Sequence, residues 1–304
     1  MNTDVQVGSV VLANPIMTAS GTAGHGVEFA PYGNLADLGA FVVKSLAAFA
    51  WQGNPAPRVQ PTPMGMLNAV GLQGPGVQAW LRDDLPALRA ANARIVVSIW
   101  GRSVAEYEAA AAALADVGSE VVAVEVNLSC PNLEGRTGIF GHDPSLSAAV
   151  IRATEICGRP RWAKLSPNTD RVVEVAAAVQ QAGAEAVTLI NTVLGMVIDP
   201  RTMRPALGNG GGGLSGRAIH PIAVRTVFDV HSALPELPII GVGGVASGWD
   251  AAELLIAGAC AVQVGTASFA DPRAPWNVLR ELNEWRHEHG LQSVSEMIGR
   301  GHRH

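Results

Sequence analysis

Eight short apolar runs, separated by alanine-rich stretches, constrain this fold more than any other feature. They are PIMTA (15–19), AFVVK (40–44), RIVVSIW (94–100), VVAVEVN (121–127), RWAKL (161–165), AVTLIN (186–191), PIIGV (238–242) and AVQVG (261–265). Their length and near-continuous apolar character suit strands buried on both faces. The segments between them carry helical patterning, as in SVAEYEAAAAALADVG (103–118), DRVVEVAAAVQQAG (170–183) and SGWDAAELLIAGA (247–259). In the last of these, Ser247 is placed to cap the start and Gly258 to end it. Buried strands alternating with helices require a parallel sheet, and eight of them close into an α/β barrel of the (β/α)8 type. An open doubly wound sheet is the alternative. The leading VQVGSVVL predicts a small hairpin plugging the barrel's N-terminal side. No repeat or linker divides the chain, so residues 1–304 read as one domain.

Two connections are too long for bare barrel loops: residues 45–75 and 192–217, both rich in Pro and Gly. Long loops in compact domains are usually functional or disordered. Both follow candidate strands, which puts them on the face where barrels build active sites. The net charge of −5 gives no reason to expect nucleic acid or an anionic membrane as partner. The N-terminus lacks a signal-peptide pattern, and no apolar run is long enough to span a bilayer. Three scattered cysteines, Cys130, Cys157 and Cys260, make neither a disulfide framework nor a metal cluster, which suits a reducing cytoplasm.

Polar residues collect at the strand ends. They are Ser20, Lys44 with Ser45, Asn127 with Cys130, Lys164, Asn191 with Thr192, Gly243 with Gly244, and Gly265 with Thr266. In a barrel these ends converge on one pocket. Lys44 and Lys164 are the only lysines beside nineteen arginines, which singles them out as sites needing a compact point charge. The glycine turns GVGGVASG and VGTAS follow the seventh and eighth strands, where barrels often bind phosphate through backbone N–H groups. Neither lies in the G-x-G-x-x-G context that opens a dinucleotide-binding fold, and GNGGGG (208–213), which has that spacing, has no strand closely before it; this favours a phosphorylated cofactor over bound NAD. Cys157 and Cys260 sit in apolar settings typical of structural cysteines. Cys130 is different: in NLSCPN it stands where the chain leaves the core, between Ser129 and Pro131 and flanked by Asn127 and Asn132. His142 and His220 read as surface or helix-start residues.

Taken together, NLSCPN, KLSPN (164–168), LINTVLGM (189–196), GGLSGRAI (212–219), GVGG (241–244) and VGTASF (264–269) resemble a class 1 dihydroorotate dehydrogenase. The resemblance runs from NPIMTASGTAG to the last helix. MLNAVGLQGPGV (66–77) and KSL…GNPAPR are most similar to the class 1B catalytic subunit. The resemblance implies one FMN-binding barrel over residues 1–304, acting in pyrimidine biosynthesis. FMN phosphate is expected on Gly243, Gly244, Gly265 and Thr266. Ser20, Lys44, Ser45, Asn127, Lys164, Ile190 and the Gly216 backbone are expected around the rest of the cofactor. Lys164 is expected beside the flavin ring, where positive charge stabilises the anionic reduced form. Dihydroorotate or orotate is expected to meet Lys44, Asn68, Ala69, Val70, Gly71, Leu72, Asn127, Asn132, Asn191 and Thr192. The reaction removes a C5 proton and passes the C6 hydride to flavin N5, and Cys130 is the expected base. An iron–sulfur, FAD-carrying partner subunit with NAD as acceptor is implied, as is a homodimeric core.

The chain departs from the family pattern at three positions, all near the expected FMN site. Ser98 stands where the family has asparagine, and Arg217 and His220 replace proline and lysine in GLSGPAIKP. Two other functions stay open on these residues. One is dihydropyrimidine dehydrogenase-like chemistry on a related pyrimidine, and the other is a Schiff-base lyase using Lys164. If Cys130 is the base, turnover rises into the alkaline range, because an unperturbed thiol ionises near pH 8.5. Cys130→Ala is then expected to keep FMN and lose most turnover. A rate profile flat from neutral pH upward, with chemistry rate-limiting, contradicts that role, as does an active Cys130→Ala enzyme.

Overall fold

All eight apolar runs form strands of one parallel sheet in the computed structural model, which describes residues 3–129, 131–132 and 138–303. The strands are Ile16–Thr18, Phe41–Val42, Ile95–Ile99, Val121–Asn127, Arg161–Lys164, Ala186–Leu189, Ile239–Val242 and Ala261–Val264. From the second onward each pairs with the next in sequence, and the eighth pairs with the first. A parallel bridge between Met17 and Ala40 closes the ring. It is backed by Gly39 N–H donating to the Ile16 carbonyl at 2.8 Å. The result is the (β/α)8 barrel that the alternation predicts, and the open sheet is excluded by that closure.

Helices Val104–Ala112, Pro144–Ala153, Val172–Gln181, His220–Ala233, Gly248–Ile256 and Ala274–Glu288 follow successive strands from the third to the eighth. Two shorter helices, Val77–Asp83 and Leu85–Ala90, precede the third strand. Ser103 and Ser247 cap their helices, accepting from Glu106 N–H at 3.2 Å and Asp250 N–H at 3.3 Å. The stretch patterned as helix over 103–118 is α-helical only to Ala112. Beyond it the N–H groups of Leu114, Ala115 and Val117 each bond three residues back, tightening the chain before Gly118. Trp80, Tyr107, Phe140 and Trp162 are fully buried in a continuous apolar core. Among the described residues no helix is long and apolar enough to cross a membrane.

The N-terminal hairpin pairs Val5–Val7 with Val10–Leu12 and buries Val5, Val7, Val10 and Leu12. Ser9 N–H donates to the Glu185 carboxylate at 2.7 Å, and Arg94 donates to the Val11 carbonyl. Glu185 and Arg94 immediately precede the sixth and third strands, so the hairpin lies against the N-terminal ends of the barrel.

At the opposite end, the two long connections fold onto each other. Val59–Thr62 and Gly65–Asn68 form a hairpin around Pro63-Met64. Gly65–Asn68 then pairs with Gly212–Ser215, which pairs with Val193–Gly195. This four-stranded antiparallel sheet joins the second and sixth barrel units. Close backbone approach explains a glycine at 65, since a Cβ there would overlap the Ser215 carbonyl.

Candidate active site

Side chains alternate in direction along a strand, so Glu125 and Asn127 share a face of the fourth barrel strand, with Glu125 the deeper. Lys164 is in register with Asn127 on one side and Thr188 on the other. Glu125 is 0% exposed and Lys164 only 4%. Lys164 Nζ donates to Ser20 Oγ at 3.1 Å and to Gln263 Oε1 at 3.2 Å, and lies 3.6 Å from Glu125 Oε1. The other carboxylate oxygen accepts from Gln263 Nε2 at 2.7 Å and from Thr188 Oγ1 at 3.1 Å. Gln263 therefore links acid and base by using both ends of its amide. These acceptors and the neighbouring carboxylate are partners for an ammonium group, and they do not suit the desolvated amine that a Schiff-base lyase requires.

A second polar layer lies nearer the mouth. Asn191 Nδ2 donates to Asn127 Oδ1 at 3.1 Å, and Asn127 Nδ2 donates to Ser45 Oγ at 3.4 Å. The Tyr107 hydroxyl donates to the Asn127 carbonyl at 2.6 Å. Ser98 is buried with its hydroxyl 2.8 Å from that of Ser45, and it lies behind the site wall. Lys44 Nζ donates to the Gln73 carbonyl at 2.5 Å. Burial, then the nearby Arg58 charge, lowers the Lys44 pKa to about 8. The neighbouring His25 is lowered to about 4, mainly by burial and further by Lys44, against an opposing effect of Glu28.

These groups surround a cavity of about 420 Å³, within the ordinary range of ligand pockets. Ser20, Lys44, Ser45, Asn127, Lys164, Ile190, Gly216, Gly243, Gly244, Gly265 and Thr266 all line it. So do Asn68, Val70, Gly71, Leu72, Asn191 and Thr192. Ala69 does not: it is buried with Leu67 and Leu207 beneath the antiparallel sheet. Asn132 is placed by its backbone alone, paired with Gly138. Cys130 lies outside the described residues. The loop at 70–72 is fixed from behind, by Trp51 Nε1 donating to the Gly71 carbonyl at 2.9 Å and Asn54 N–H to the Val70 carbonyl at 3.1 Å.

One end of the cavity is almost entirely backbone. Gly216, Gly243 and Gly244 have φ of +93°, +139° and +73°, conformations that leave their amides free of Cβ shielding. His220 is buried at the start of its helix and spans the Gly243 carbonyl at 2.7 Å and the Glu253 carboxylate at 3.0 Å. It thus braces the glycine turn from outside the cavity. Sequence reasoning missed Glu125 and Gln263, although a charge and an amide inside apolar strands were a visible signal. It also missed Val59, Met66 and Ser215, which reach the cavity only because the two long connections pair.

The sequence matches the family model described as dihydroorotate dehydrogenase over residues 3–285. The chain belongs to the dihydroorotate dehydrogenase family. It is 46% identical over 296 residues to a protein of Geobacter sp. (strain M21), covering 97% of this chain and 96% of the relative. It is 46% identical over 304 residues to one of Desulforudis audaxviator, covering 100% and 98%. It is 43% identical over 300 residues to one of Alkaliphilus oremlandii, covering 98% of each. All three are described as dihydroorotate dehydrogenase B (NAD(+)), catalytic subunit.

In this member of the dihydroorotate dehydrogenase family, Glu125→Ala would leave a buried ammonium, an amide and a hydroxyl without their shared partner. A loss of about 3–5 kcal/mol is expected in urea unfolding. A loss below about 1 kcal/mol would show that the network carries little of the barrel's stability.

Proposed function

We propose that this chain is the catalytic subunit of an NAD-linked dihydroorotate dehydrogenase, with residues 1–304 as one FMN-binding unit. It oxidises dihydroorotate to orotate. The observation carrying this reading is the convergence of two lysines, three asparagines and a backbone cradle on one cavity in a chain of this family.

The donor set fits FMN. The glycine end offers backbone N–H groups suited to a phosphate. Ile190, Val242 and Met66 supply apolar surface for a flat ring, and Lys164 supplies a buried positive charge. Bound FMN provides the two-electron acceptor for the hydrogen leaving C6. Lys164, held by Ser20 and Gln263, stabilises negative charge that develops at the ring. Lys44 pairs with the substrate carboxylate, and Asn68, Asn127 and Asn191 offer amide edges to the pyrimidine. Groups placed this way leave a ring without the carboxylate short of a partner for Lys44, which disfavours the related-pyrimidine reading. Cys130 removes the C5 proton.

A second subunit carrying FAD and an iron–sulfur centre would take the electrons onward to NAD. The words "catalytic subunit" and "NAD(+)" in the relatives' descriptions support a separate subunit and NAD as acceptor. Two copies of the chain form the core of the assembly, a reading supported by Leu194, Met196, Ile198 and Met203, large apolar side chains each exposed within the 192–217 connection.

The Lys44 role has a pH signature. Lys44 loses its charge as pH rises through about 8, so its attraction for a carboxylate is present below that pH and lost above it. Orotate binding to Cys130→Ala, where residue 130 has no thiol to titrate, is expected to be flat from pH 6 to about 7.5. Above about 8 it should weaken, toward tenfold per pH unit. Lys44→Met should bind weakly at every pH. A flat profile through pH 9, or an unaltered profile in Lys44→Met, would overturn this assignment.

A further inference from the structure

A second cavity of about 220 Å³ adjoins the first. Gly216, Gly244 and Thr266 line both, so the two share the wall formed by the glycine end. Arg217 lines only the smaller one, together with Met64, Gly65 and Ala246. Its backbone is anchored on both sides. Ala218 N–H donates to the Met64 carbonyl at 3.0 Å, and Gly216 is packed against Gly244. Its side chain is not: 56% is exposed, and its ion-pair contact is with Asp250 Oδ2 at 3.9 Å. That oxygen already accepts from Ala246 N–H at 2.9 Å and the Ser247 hydroxyl at 2.8 Å, as part of a helix cap. A guanidinium at 3.9 Å from an oxygen so engaged makes no hydrogen bond to it. Among the described residues, Arg217 thus holds five N–H donors and a full charge beside a cradle of backbone amides, uncommitted to any close partner.

We propose that Arg217 is a cationic clamp for the phosphate end of the cofactor, reaching over the small cavity to a phosphomonoester dianion seated on the glycine cradle. The inference rests on the flavin reading above. Backbone amides contribute partial charges and direction. Arginine adds a full charge and a planar fork that matches phosphate oxygens. Leaving Asp250 costs little, since an exposed contact at that distance is weak. The clamp acts on the phosphate and not on the ring, so it selects the phosphorylated flavin over the same ring system without phosphate. His220, three residues further along and braced between Gly243 and Glu253, keeps the cradle in place while Arg217 moves.

The test is a titration of flavin-free protein with FMN and with riboflavin, followed by flavin fluorescence at low and high salt, for the native chain, Arg217→Gln and Arg217→Lys. Arg217→Gln is expected to weaken FMN roughly tenfold and riboflavin less than about twofold. Its FMN affinity should also depend less on salt. Arg217→Lys should recover part of the loss. Unchanged FMN affinity in Arg217→Gln would overturn the clamp, and so would equal weakening of FMN and riboflavin, which marks a merely structural role. A native chain that binds neither flavin would instead overturn the cofactor reading beneath it.

Discussion

The buried contact between Lys164 and Glu125 is the constraint around which the rest of the site is arranged. Removing two charges from water costs several kcal/mol each, and their mutual attraction seldom recovers it in full. An apolar pair of similar volume would serve the barrel as well. The arrangement makes sense when the ammonium is needed at the mouth and everything below it exists to hold it there. Gln263 ties the lysine to the carboxylate, Thr188 fixes the carboxylate, and Ser20 draws Nζ toward the cavity. Four barrel strands and the turn after the first each contribute one group, so the position of the charge is set by the closed barrel as a whole.

Above that layer, the two long connections solve a different problem. A barrel mouth is open, and a flat ligand lying across it needs walls. Pairing Gly65–Asn68 with Gly212–Ser215 gives each loop hydrogen-bonded partners and turns them into one sheet standing at the cavity edge. The glycines in GNGGGGLSG, which lack the strand-to-helix context of a nucleotide fingerprint, belong to this close pairing: a Cβ at Gly212 would meet the Asn68 carbonyl, and one at Gly213 would meet Thr192. Trp51 and Asn54 then hold the 69–72 loop from behind.

The barrel was legible because eight apolar runs recur with helix-patterned segments between them, and strand identity needs little more than that. The strand-end residues were legible for a related reason, since a parallel barrel sends all such ends to one face. The antiparallel sheet was not. Its strands hold Pro61 and several glycines, residues that argue against strand when read locally, and its pairing joins segments about 150 positions apart. Glu125 was passed over because it was read as part of an apolar run, although a carboxylate inside such a run has to find a partner. Ser98 and His220 were expected close to the FMN site. In the folded chain both stand behind its wall, Ser98 against Ser45 and His220 against Gly243.

The visible spectrum of the purified protein, recorded anaerobically before and after dihydroorotate, tests the central claim most directly. A flavin band is expected that bleaches with dihydroorotate and persists with the same dihydropyrimidine ring lacking the carboxylate. A band that dihydroorotate leaves unchanged, or that both compounds bleach alike, would contradict it.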